Sequence, residues 1–110
     1  MEIINENQRE FRFKTYGPKY IFRGPKYEWG LILLRPNDEL GAHYHNEVEE
    51  TFYFLSGKGK ILIGDKGFSI RIGDAFRIEP KEKHNIVCQG EEIKAVFIKC
   101  PYLPEDKVSV

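Results

Sequence analysis

What most constrains this chain is its punctuation. Gly17-Pro18, Gly24-Pro25, Pro36-Asn37, Ser56-Gly57-Lys58-Gly59, Gly64-Asp65-Lys66-Gly67 and Gly73-Asp74 break it at short intervals. Each break supplies a residue that tolerates positive φ or fixes φ near the proline value, so each favours a turn. No stretch between them reads as a long helix. The intervening runs, residues 11–15, 20–22, 27–35, 51–55, 60–63, 68–72, 75–78, 84–88 and 92–99, are rich in β-branched and aromatic side chains and predict strands. Short strands at this rhythm predict an all-β sandwich or barrel.

A length of 110 residues without a linker or composition shift predicts a single domain over residues 1–110. The chain is 41% hydrophobic and 14% aromatic, enough for a core without disulfide staples. Its 17 basic and 17 acidic side chains cancel and are interspersed, so no basic stripe is available to neutralise phosphates; nucleic acid is not an expected partner. The longest apolar runs fall far short of the ~20 residues of a membrane-spanning helix. A start carrying Glu2, Asn5, Glu6 and Arg9 is unlike a signal peptide. A membrane partner is not expected, and the predicted location is cytoplasmic. Cys88 and Cys100 lack CxxC spacing and are expected to stay thiols. Residues 1–25, polar and twice broken by Gly-Pro, are expected to form edge strands or to exchange with a second subunit. Residues 101–110 lack alternation and are expected to be a surface tail.

His43 and His45 stand two apart in a run that should be extended, and a strand has a side-chain period of two, so both imidazoles face one way. The next four residues allow a reversal, after which Glu50 opens an aromatic strand on which Phe52 and Phe54 share its face. His84 opens a further strand with Ile86 and Cys88 on its face. These are all three histidines of the chain, and with Glu50 they fit one geometry. Imidazoles with one carboxylate suit a divalent transition metal, Fe, Mn, Co, Ni, Cu or Zn, rather than Ca or Mg. Four such ligands would leave two positions on an octahedral ion for water or substrate. By parity Tyr44 and Tyr53 point outward, and Cys88 reads as a packed core thiol.

The same residues resemble the cupin superfamily, whose first motif is G(X)5HXH(X)3,4E(X)6G. His43, His45, Glu50 and Gly57 match it, with Asn37 in place of the leading glycine. The second motif, G(X)5PXG(X)2H(X)3N, is recognisable from Gly73 to His84, with Glu79, Lys81 and Cys88 in place of its proline, glycine and asparagine. Lys81 and Lys83 read as solvated loop residues rather than as an anion site. The resemblance implies a double-stranded β-helix, or jelly-roll, barrel holding one metal through His43, His45, Glu50 and His84, and a homodimer. Cupins serve many chemistries. A metalloenzyme acting on a small oxygen-rich substrate, phosphosugar-isomerase-like or dioxygenase-like, is the expected function. The alternative is a non-catalytic module that binds or senses a small ligand. No catalytic base is assigned from sequence.

Overall fold

The computed structural model describes residues 1–110. After one 3-10 turn, Glu6–Gln8, capped by Asn5, ten strands follow: β1 (Gly17–Arg23), β2 (Glu28–Leu34), β3 (His43–His45), β4 (Glu49–Ser56), β5 (Gly59–Ile63), β6 (Lys66–Ser69), β7 (Ala75–Ile78), β8 (His84–Cys88), β9 (Ile93–Cys100) and β10 (Lys107–Ser109). They form two five-stranded antiparallel sheets ordered β1-β2-β9-β4-β7 and β10-β3-β8-β5-β6. This is the double-stranded β-helix expected of the sequence.

Period-two alternation sets the interior. Strand β2 alternates buried with half-buried residues from Glu28 to Leu34, and β4 buries Glu50, Phe52 and Phe54. Register stacks these residues in layers across the first sheet. Leu34 lies opposite Ile93, Ile32 opposite Ala95 with Phe54 beyond, and Gly30 opposite Phe97 with Phe52 beyond. From the second sheet come Ile61, Ile86 and Cys88. Gly30 has a specific reason: a Cβ there would lie 2.0 Å from the Lys19 carbonyl oxygen. Its absence lets β1 close on β2 and brings Tyr20 edge-on to Phe97, ring centroids 5.1 Å apart. The layer beyond the aromatics is polar, with Glu28 opposite Lys99, Lys99 opposite Glu50, and Glu50 opposite Ile78. The barrel therefore has a dry apolar end and an ionic mouth.

The structure departs from the sequence expectations in two places, residues 11–15 and the C-terminal tail. The strand predicted at residues 11–15 is absent: one isolated bridge joins Phe11 to Lys14, and Lys14 has φ 68°, which turns the chain sharply. The β-rich composition there serves packing instead, with Phe13 against Tyr16. The expected edge role of the N-terminal segment falls to β1, which lies at the edge of the first sheet. Residues 101–110 are largely exposed but include β10, whose Lys107, Val108 and Ser109 pair with His45, Tyr44 and His43. Three residues offer too little alternation to read, and only the unpaired edge of β3 gives them a partner.

Candidate metal centre

All four sequence-derived candidates meet at the mouth. His43 and His45 occupy the two ends of β3, Glu50 sits near the start of β4, and His84 opens β8 directly opposite His43. All four are at least 96% buried, and their ligating atoms lie within 4.8 Å of one another. The Glu50 Oε1 is 3.1 Å from His84 Nε2, 3.2 Å from His45 Nε2 and 3.9 Å from His43 Nε2.

The backbone decides what these nitrogens offer. His43 Nδ1 lies 2.7 Å from the Gly41 carbonyl and His84 Nδ1 2.8 Å from the Glu82 carbonyl. A carbonyl only accepts, so each Nδ1 carries the proton and donates. In the neutral ring, Nε2 then presents a lone pair toward the Glu50 carboxylate. Acceptors facing acceptors in a buried site repel, and only a cation between them, a metal or protons on the rings, resolves the arrangement. Fixing Nδ1 on a carbonyl is also how metal-binding histidines are oriented. The donor set suits a divalent transition metal.

Electrostatics agree. Burial works to raise the Glu50 carboxyl, but the three imidazoles outweigh it and hold the group well below the usual carboxylate range. Burial pushes the His43 imidazole down, against the pull of Glu50 and Gly41. His43 is thus biased toward the neutral, ligating form.

Supports for these side chains come from distant segments. Asn85, buried beside His84, accepts from the Gly41 N–H at 2.8 Å, pinning the residue whose carbonyl orients His43. Asp106 Oδ2 accepts from the N–H groups of Glu47 and Val48, at 2.8 and 2.9 Å, and so shapes the reversal between His45 and Glu50. The Lys81 N–H donates to the His45 carbonyl at 2.6 Å. Both glycine-for-other departures keep the glycine conformation: Asn37 has φ 78° and Lys81 φ 70°.

The mouth is lined further by residues to which no sequence motif pointed. Arg12, Tyr20, Lys99 and Lys107 border a cavity of about 20 Å³ with His43 and Glu50. The same four border an adjoining cavity of about 50 Å³ with His45. The Tyr20 hydroxyl accepts from Lys99 Nζ at 2.8 Å and from Arg12 Nη2 at 3.2 Å. Burial, then the neighbouring Arg12 and Lys99 charges, lower the Lys107 pKa. Lys81 and Lys83 are exposed and border neither cavity, in line with their reading as loop residues. Cys88 is buried in the core, its Sγ donating to the Glu91 carbonyl, while Cys100 is an exposed free thiol.

Comparison with known proteins agrees with this fold. The family described as Cupin domain matches residues 30–99. The chain is a cupin. An uncharacterized protein of Methanocaldococcus jannaschii is 27% identical over 84 residues, covering 76% of this chain and 66% of its own. The chain spans 50–66% of the length of the curated relatives it matches. A Klebsiella pneumoniae protein with a double-stranded β-helix domain superposes with TM-score 0.84 at 17% identity, covering 100% of this cupin and 97% of that chain; at that identity the likeness concerns fold alone. A protein of Acidithiobacillus ferrooxidans, proposed to be a sugar phosphate isomerase, gives TM-score 0.65 at 28% identity over 69% of this chain and 51% of that one.

Proposed function

We propose that this cupin is a metal-dependent enzyme acting on a small oxygen-rich substrate, with His43, His45, Glu50 and His84 as ligands and isomerase-like chemistry. One observation carries the reading: three buried acceptor atoms, His43 Nε2, His84 Nε2 and a Glu50 oxygen, converge beside His45 where, absent a cation, they repel. A divalent transition metal held there supplies Lewis acidity to adjacent substrate oxygens. The chain's own contribution is orientation and proton handling. Gly41 and Glu82 fix two rings, and the aromatic layer of Phe52 and Phe97 excludes water from below. Tyr20, backed by Lys99 and Arg12, is the residue bordering the cavity that is placed to move a proton. Isomerisation requires such a group; dioxygenase-like chemistry does not, and the 28% identical relative from Acidithiobacillus ferrooxidans also favours isomerisation.

A homodimer belongs to the same proposal. On the outer face of the first sheet, Ile98 lies between Trp29 and Thr51, and Val96 between Leu31 and Tyr53. Ile98 and Tyr53 are 45% and 46% exposed. A contiguous apolar sheet face of this kind suits a second copy of itself.

The experiment is metal analysis of protein purified without chelating resin, followed by solvent-deuterium exchange into a panel of sugar phosphates and hydroxy acids. One equivalent of metal and exchange with at least one compound are expected. Protein that also ignores added Mn, Fe, Co, Ni and Zn would sink the metal reading. Bound metal with no exchange across the panel would favour a sensor module over an enzyme.

A further inference from the structure

We propose that the metal centre is paired with a cationic subsite, formed by Arg12, Lys99 and Lys107, that holds a second anionic group of a small chelating substrate. The inference rests on the metal reading above and names the substrate class it leaves open.

Register places two of these cations. Lys99 is the cross-strand neighbour of Glu50, and Lys107 is the cross-strand neighbour of His45. Each therefore stands one strand from a ligand, on opposite sheets, facing the same mouth. Arg12 arrives from the N-terminal segment and closes the ring over Tyr20, its guanidinium carbon 5.7 Å from the ring centre. All three border both cavities beside the ligands.

The charges there do not cancel. Glu28 pairs with Arg23 at 2.9 Å and reaches Lys99 only at 4.0 Å. Arg12 and Lys107 form no ion pair; the carboxylates at the mouth are Glu28, already paired, and Glu50, whose nearest partners are the three imidazoles at 3.1, 3.2 and 3.9 Å, so two carboxylates face Arg12, Arg23, Lys99 and Lys107. Cations gathered from three separate segments around one small cavity repel one another. A purely structural mouth would be more stable with neutral side chains. An anion between them reverses the sign of that interaction. Tyr20 adds a donor: Lys99 and Arg12 occupy both lone pairs of its hydroxyl, which leaves the O–H hydrogen to point at a ligand. The anionic group is a carboxylate or a phosphate, and cavities of about 20 and 50 Å³ set a small scale for it.

The test uses three hydroxamates that chelate metal through the same two oxygens. Acetohydroxamate has no second anionic group, malonic monohydroxamate adds a carboxylate, and phosphonoacetohydroxamate adds a phosphonate. Their affinities are measured calorimetrically on the protein loaded with whichever divalent metal it takes up stoichiometrically. At least one anionic homologue should bind about tenfold or more tightly than acetohydroxamate, the scale of a charge-assisted contact. The preferred homologue separates carboxylate from phosphate substrates. In the Arg12→Gln, Lys107→Gln double variant that advantage should collapse, while acetohydroxamate binding stays within about twofold. Both substitutions replace exposed residues, and a melting temperature no lower than that of the native protein verifies the fold. Equal binding of all three compounds by the native protein overturns the subsite, as does an advantage that survives in the double variant. Elemental analysis precedes the titrations: a chain without metal overturns the centre, and the subsite with it.

Discussion

Lys81 offers a place where sequence, conformation and site can be tested against one another. It stands where the second cupin motif has glycine and adopts φ 70°, a left-handed conformation that costs a side-chain-bearing residue roughly 1–2 kcal/mol. Its side chain is exposed and makes no hydrogen bond or ion pair, so replacing it removes no contact. Glycine forfeits about 0.5–1 kcal/mol through the greater freedom of its unfolded chain. The difference predicts that Lys81→Gly stabilises the protein by about 0.5–1 kcal/mol, a melting temperature higher by about 3–5 °C for a domain of this size. Lys83, two residues on, is equally exposed but has no positive φ, so Lys83→Gly should lower stability by about 0.5–1 kcal/mol. Calorimetry of both metal-free variants gives the comparison. The Lys81 N–H that bonds the His45 carbonyl survives the exchange, so metal stoichiometry should be unchanged. A lower melting temperature for Lys81→Gly, or shifts of the same sign in both variants, would refute the argument that backbone strain rather than side-chain contact governs this turn.

Metal should stabilise the folded chain by about 2.7 kcal/mol at a free concentration one hundred times the dissociation constant, and His45→Ala or Glu50→Ala should abolish that rise in a thermal melt. In the metal-free protein, stability in urea should rise with pH from acid to neutral. The folded values of both His43 and Glu50 lie below their ordinary 6.5 and 4.5, so the unfolded chain binds more protons at lower pH, and stability falls progressively as pH drops below 6.5 and again below 4.5; a flat profile over that window would contradict the burial argument. Ile98→Asp on the outer sheet face should shift sedimentation from dimer to monomer without loss of metal, and an unchanged sedimentation coefficient would move the interface elsewhere.

The parts of this site that were legible in the sequence are those governed by local period. His43 with His45, Glu50 with Phe52 and Phe54, and His84 with Ile86 share faces because strands alternate, and the structure buries each of these sets. The motif departures at Asn37 and Lys81 could be judged tolerable only at Asn37, since nothing in a lysine announces positive φ; the structure finds both left-handed. Residues 11–15 failed as a strand because composition alone does not reveal the turn at Lys14, whose φ is 68°.

Register is the information that composition and period do not carry. Lys99 reads as the end of an alternating strand, and Lys107 as one charge in a short polar tail. Each becomes part of the mouth only when β9 is set against β4 and β10 against β3. Arg12 is more remote still, entering through its bond to Tyr20. The candidate ligands are fixed by local geometry, whereas the cations around them depend on strand pairing and on segments at the two ends of the chain. A family motif therefore identifies where a metal would sit while leaving the charge of the surrounding pocket free to vary. On the proposed function, ligand preference resides in β9, β10 and the segment before β1, and exchanging Arg12, Lys99 and Lys107 should alter which ligand binds without altering whether metal does. Loss of metal on exchanging the exposed pair, Arg12 and Lys107, would show that the two layers are not separable.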